Sequence, residues 1–165
     1  VNVNISYIQV SKSVVLRDIL NIIKKYNVDQ NRLVIELTES GFIESDRFFV
    51  SFCNRLKENG ILLALDDFGT GYSNFYYLYN LKPDCIKVDR GLMKNALANQ
   101  YENMLLKHMI DMAHSVDVKM CIEGIETQEE LDKILEMGCD YIQGYYFSKP
   151  LPFNEIEEYL KKKRK

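Results

Sequence analysis

A chain of 165 residues with 47% apolar composition can bury one sizeable core and is too short for two ordinary domains. Its net charge of −3 comes from interspersed acids and bases, with no basic stripe to follow a phosphate backbone, so polymeric nucleic acid is excluded as a partner. The longest apolar run, Ile61 to Leu65, falls far short of the roughly 20 residues that span a bilayer, and no signal-peptide pattern opens the chain.

The expected segment is therefore soluble and cytoplasmic, without membrane contact of its own. Cys53, Cys85, Cys121 and Cys139 fall at scattered spacings with no C-x-x-C pair, each inside an apolar stretch. They read as buried thiols in a reducing compartment, with no catalytic or metal-binding part.

Short apolar or β-branched runs alternate with helical periodicity, the pattern of βα units around a parallel sheet. In chain order this predicts a strand at Val1–Ser6, a helix at Val14–Tyr26, a strand at Leu33–Leu37 and a helix at Asp46–Asn59. A strand at Leu62–Asp66 follows, then a short helix near Asn74–Tyr79 and a strand at Cys85–Val88. The last elements are a helix at Glu102–Val116, a strand at Val118–Ile122, a helix at Gln128–Met137, a strand at Tyr141–Gln143 and a helix at Asn154–Lys161. Gly60 and Gly138 stand just past helix ends, where a left-handed residue is wanted. The Lys161–Lys165 run reads as a solvated tail.

In a (β/α) barrel alternate strand residues point inward and chemistry gathers at the strands' C-terminal ends. Period two places Asn2, Asn4 and Ser6 on one face of the first strand, Val34, Glu36 and Thr38 on the second, and Leu62, Ala64 and Asp66 on the third. The fourth carries Cys85, Lys87 and Asp89, the fifth Lys119, Cys121 and Glu123, and the sixth Cys139, Tyr141 and Gln143. Each strand thus ends in a polar or ionisable group on a single face, which a packed core alone would not ask for. Gathering Glu36, Asp66, Asp67 and Glu123 without cations would cost several kcal/mol in desolvation and repulsion. Oxygen ligands with one amide and a nearby lysine suit Mg²⁺ or Mn²⁺ better than zinc. Singly, each acid reads more simply as a helix cap or a surface pair, and it is their joint placement that points to a site. His108 and His114 lie six apart on one helix and do not face each other, so they read as solvated or partly buried.

The stretch Asp66–Asn74, DDFGTGYSN, puts two carboxylates at a strand end before two glycines that permit a tight loop. It lacks the Lys-Ser/Thr ending of a phosphate-binding P-loop, and its acids would repel a phosphate unless metals intervene.

Taken together, VNVNIS at the start, IELTES (Ile35–Ser40), LDDFGTGYSN (Leu65–Asn74), LKPDCIKVDR (Leu81–Arg90), CIEGIET (Cys121–Thr127) and IQGYYFSKP (Ile142–Pro150) resemble the EAL family, in family order over essentially the whole chain. The resemblance implies a modified TIM barrel that hydrolyses cyclic di-GMP to linear pGpG with two divalent cations, Mg²⁺ or Mn²⁺. These cations would bind the scissile phosphate and activate a water for in-line attack at phosphorus. Asn4, Glu36 and Asp66 match the family's metal ligands, Asp67 the adjacent ligand of the second metal, and Glu123 a further metal-site carboxylate. Lys87 matches the lysine that holds the attacking water, and Gln143 a glutamine beside the metal and water site. Glu39 matches the glutamate that braces the loop containing Gly69, Thr70 and Gly71, and Glu126 matches a second acidic position.

The chain departs from the family in one respect: the Glu-x-Leu motif and the arginine after it, expected upstream of Asn4, have no counterpart in it. The expectation is a single EAL domain over residues 1–165, without its N-terminal strand or strands and helix, and with six of the usual eight strands. On its own such a piece is expected to turn over weakly or not at all, and its parent leaves room for an upstream GGDEF or sensory module. A domain that senses cyclic di-GMP without cleaving it is the alternative; the retained metal-site residues favour an enzyme. Tyr72, Phe75, Tyr76 and Tyr77 fit either a homodimer surface or the core. An unrelated metal-dependent barrel enzyme would leave the ordered motifs unexplained.

Overall fold

The computed structural model describes residues 1–11, 14–38, 47–69 and 75–163. Its strands are β1 (Asn2–Ile5), β2 (Val34–Thr38), β3 (Leu62–Phe68), β4 (Cys85–Val88), β5 (Lys119–Ile122) and β6 (Tyr141–Ile142). All pair in parallel in the order β1-β2-β3-β4-β5-β6, so each strand lies beside its neighbours in sequence. Parallel neighbours need crossover connections, and helices supply them: α1 (Tyr7–Val10), α2 (Val15–Tyr26), α3 (Arg47–Glu58), α4 (Phe75–Leu81), α5 (Arg90–Ala98), α6 (Gln100–Ser115) and α7 (Gln128–Glu136), with α8 (Phe153–Lys163) after the last strand. Among the described residues β1 and β6 do not pair with each other, so the sheet is an open arc of a barrel.

The helices form where the sequence offers a stripe and a stop. In α3, Phe49, Phe52, Cys53 and Leu56 recur at helical spacing and are all buried. Helix α2 buries Leu16 and Ile23 and ends on Asn27 in the left-handed conformation. Thr127 and Glu130 form a capping box at the start of α7. Gly60 and Gly138 take φ of +75° and +80° after their helices, the left-handed conformation expected of them.

The apolar layer outside the sheet has two parts. One gathers Leu16, Ile23, Phe52, Leu56, Leu63 and Leu81 around β1 to β3. The other gathers Met93, Leu106, Ile110, Met120, Ile122 and Ile134 around β4 to β6. Leu78 packs against both. Each fully buried Leu or Ile is worth about 1.5–3 kcal/mol relative to exposure.

Three elements appear that the periodicity did not predict. Ser6 is not an inward strand residue but the N-cap of α1, in a reciprocal pair with Gln9. Gln30–Arg32 form one 3-10 turn capped by Asp29. Asp89 is not the inward end of β4 but the N-cap of α5, accepting from the Gly91 N–H at 2.7 Å. Both cap residues compete with the strand by bonding nearby backbone. Cys139 precedes β6 and points outward, its Sγ toward the Ile134 carbonyl of α7. His108 and His114 are both exposed, and the ring of His114 meets Asp140 at 2.7 Å.

Candidate metal site

The site is built on Lys87. Strand β4 is central, and alternation turns Lys87 into the concave face, where its side chain is only 5% exposed. A buried ammonium must place its N–H groups on acceptors, and an ammonium has three. Nζ of Lys87 lies 2.8 Å from Glu36 Oε1 on β2, 3.0 Å from Asp66 Oδ1 on β3 and 2.7 Å from Glu123 Oε1 after β5. Burial works against the charge of Lys87, but hydrogen bonds to Glu123, Glu36 and Asp66 outweigh it and hold the ammonium well above its usual pKa. Lys87 is therefore a fixed cation and donor, not a base.

Asp67 reaches the same place by a backbone device. In a regular strand consecutive side chains face opposite ways, yet single oxygens of Asp66, Asp67 and Glu123 lie within 4.8 Å of one another. The pairing of β3 with β4 shifts register between Leu65 and Phe68, and Asp67 adopts a left-handed φ of 56°. That conformation is uncommon for a side-chain-bearing residue and marks a bulge that re-aims what it carries. The Asp67 N–H donates to Asp66 Oδ1 at 3.1 Å. Gly69 follows with φ of +99°.

Four carboxylates thus surround one ammonium. Burial raises the pKa of Asp67, and the charges of Asp66 and Asp89 raise it further, with Lys87 opposing. Burial likewise raises that of Glu123 even against Lys87. One lysine leaves the group short of positive charge, and an all-oxygen donor set of this kind fits a hard divalent cation.

Asn4 stands opposite Glu36 in the β1–β2 register and is exposed. Asn2, two residues earlier, donates its side-chain amide to Glu36 Oε1 at 2.6 Å. Gln143, just beyond β6, is exposed; its N–H donates to the Ile122 carbonyl, and its carbonyl accepts from the Ile125 N–H. Glu126 is not with the acids. It pairs with Arg90 and, at 4.0 Å, with Lys94, so it ties the β5–α7 loop to the start of α5. Arg90 lies across Gly124, where φ is +78° and a Cβ would sit 2.4 Å from Arg90 Cγ. Glu39, Thr70, Gly71 and Tyr72 lie outside the described residues, as do the side chains of Phe75, Tyr76 and Tyr77.

The concave face beneath the acids holds a cavity of about 590 Å³ lined by Asn2, Ala64, Cys85, Lys87, Cys121 and Gln143 among others. A second cavity, about 550 Å³, lies between α4 and α6 at the opposite end of the strands and touches none of the acids. Sequence periodicity brought Glu36, Asp66, Lys87 and Glu123 together. It gave no role to Arg90 or Gly124, whose signal was the glycine following the strand-end glutamate.

Open parallel sheet, strand-end acids and buried lysine make an oxygen-rich cluster that could hold a cation, on a barrel-like α/β fold. The chain matches the EAL domain model over residues 1–150, and it belongs to that family. It is 38% identical over 129 residues to the cyclic di-GMP phosphodiesterase NbdA of Pseudomonas aeruginosa, a match covering 78% of this chain and 16% of NbdA. The chain spans less than half the length of the curated relatives it matches. Its fold superposes on the EAL domain of Mycobacterium smegmatis DcpA with a TM-score of 0.90 at 27% identity, covering 98% of this chain and 72% of that one. It also superposes on Klebsiella pneumoniae BlrP1 in complex with manganese and cy-diGMP, with a TM-score of 0.83 at 25% identity over 90% of this chain and 38% of that one. No helix among the described residues is long and apolar enough to cross a membrane.

Proposed function

We propose that the chain carries the catalytic centre of a cyclic-di-GMP phosphodiesterase, which opens the cyclic dinucleotide to linear pGpG. The observation that supports this most directly is the convergence of Asp66, Asp67 and Glu123 within 4.8 Å beside the buried ammonium of Lys87. The whole of residues 1–165 is read as one EAL unit.

In this reading Asn4, Glu36, Asp66, Asp67 and Glu123 hold two divalent cations, Mg²⁺ or Mn²⁺. When bound, these supply Lewis acidity toward a phosphoryl oxygen and toward the attacking water. The chain's own residues do the rest. Lys87, fixed by three acceptors, presents a permanent positive charge where negative charge develops on the phosphoryl group. Glu123, held by Lys87, and Gln143, from the adjacent strand end, orient the attacking water. Glu126 holds the β5–α7 loop through Arg90. Glu39, with Gly69, Thr70 and Gly71, serves the β3–α4 loop and a homodimer contact. The substrate is a soluble dinucleotide, and the setting is the cytoplasm, with a GGDEF or sensory module as an upstream partner.

The test is conversion of cyclic di-GMP to pGpG with Mn²⁺ or Mg²⁺, run beside Asp66→Asn. Turnover lost by at least 100-fold in the variant supports the reading. Binding of the dinucleotide without turnover, in this chain and in the longer parent protein alike, would make the domain a sensor instead.

A further inference from the structure

We infer that Asn2 is a positioning residue for the cation site: its amide N–H fixes the carboxylate plane of Glu36. This inference rests on the reading of Glu36 as a metal ligand. Lys87 is fully subscribed, since its three N–H groups meet three carboxylates at 2.7, 2.8 and 3.0 Å. Each acid thus receives a single N–H from it, and a carboxylate held by one donor still turns about its terminal bond, whose rotamer well is broad. Asp66 Oδ1 has a second donor in the backbone N–H of Asp67, and Glu36 has one in the side chain of Asn2. Oε1 of Glu36 accepts from Lys87 on one side and from Asn2 Nδ2 at 2.6 Å on the other, between β4 and the edge strand β1.

Two donors on one oxygen set the plane and leave Oε2 with no hydrogen bond among the described residues, ready for a cation. The strand register explains why Asn2 and not Asn4 does this. Asn4 is directly opposite Glu36 and Asn2 opposite Val34, one inward layer below, from where its amide reaches Oε1 from beneath. A hydrogen bond from an amide to an ionised acid is charge-assisted and strong enough to hold an orientation. Partners of this kind, which touch a ligand and not the metal, commonly change metal affinity by 10- to 100-fold.

The experiment compares the full chain with Asn2→Ala and with Asn2→Leu, which keeps the branched outline of asparagine and removes its donor, and includes Asp66→Asn as the control. Mn²⁺ affinity is read from the free-ion electron paramagnetic resonance signal, alongside thermal unfolding and the kcat and KM for cyclic di-GMP. The expected result is an apparent Mn²⁺ Kd raised about tenfold in both Asn2 variants. Unfolding without metal and KM for the dinucleotide should be unchanged, with kcat partly restored by excess Mn²⁺. Unchanged Mn²⁺ affinity in both variants while Asp66→Asn loses it overturns the inference and spares the proposed function. Loss in Asn2→Ala but not in Asn2→Leu also overturns it, because packing and not donation would then be the cause. No Mn²⁺ binding by the unaltered chain beyond that of Asp66→Asn sinks both.

Discussion

Replacing Lys87 by methionine keeps the unbranched stem and removes the charge from the centre of three acids. The ammonium makes contacts of 2.7, 2.8 and 3.0 Å, and the side chains involved are 5–19% exposed. Removing one partner from a buried ion group leaves the others uncompensated, at about 3–5 kcal/mol. For a chain of this size each kcal/mol moves Tm by about 2–4 °C. Lys87→Met should therefore unfold about 10 °C lower than the unaltered chain at pH 7, with a chelator present in both samples. The folded pKa of Lys87 is raised, so its contribution is complete below the unfolded value of about 10.4 and is lost only as pH rises through the folded value. The Tm gap should accordingly stay level from about pH 6 to pH 9. At acid pH it should narrow, as protonation of Glu123, whose pKa burial has raised, relieves the crowding. A fall of less than about 3 °C at pH 7 would refute the view that Lys87 holds this cluster together.

Gly144→Ala should cost about 3 kcal/mol in urea unfolding, because a Cβ there would lie 2.0 Å from the Ile125 carbonyl oxygen and 2.4 Å from its nitrogen, and backbone cannot step aside. Gly138→Ala should cost only about 1–2 kcal/mol, the penalty of its left-handed backbone, since nothing lies within 4 Å. Equal costs for the two would contradict this geometry. Burial works against ionisation of Asp140, but the Lys119 ammonium, the Met120 N–H and the His114 ring hold its pKa down at about 2. That contribution is present above the unfolded value of about 3.9 and fades as pH falls through the folded one. Asp140→Asn should lose about 1–2 kcal/mol at pH 7 after solvent screening, and nothing measurable near pH 2. Burial pushes the thiol of Cys53, which is fully buried, up to about 12, so in the folded chain a thiol reagent at pH 8 should modify it only as fast as the chain opens.

Much of this was legible in the sequence because it rests on period two. Strand β4 runs from Cys85 to Val88 as read, and alternation along the strands carries Glu36, Asp66, Lys87 and Glu123 to one face. Alternation alone would send Asp67 the other way; only the left-handed backbone at that residue returns it, and no propensity announces such a bulge at an aspartate. Asp89 and Ser6 extended the inward pattern by one step too far, since a side chain that can cap a helix looks, in a pattern of alternating residues, like one more strand position. Helix α5 was missed because it buries only Met93 and Ala96, too few apolar residues to show a period, and its start at Arg90–Gly91 resembles a turn. The donor role of Asn2 and the Arg90–Glu126 tie depend on side-chain reach between strands, which spacing within one strand does not encode.

The divided apolar layer bears on how the chain comes to be competent. Glu36 and Asp66 belong to the half consolidated by Leu56 and Leu63, whereas Lys87 and Glu123 belong to the half consolidated by Ile110 and Ile122. A species with only one half formed holds either three acids, counting Asp67 beside Asp66, without a counter-charge or an ammonium with a single acid. Amide exchange should divide into two cooperative blocks meeting between β3 and β4. Cation affinity then reports the docking of those blocks rather than the presence of either. A substitution that loosens the seam, at Leu78 for instance, should abolish metal binding while most of the helix signal survives.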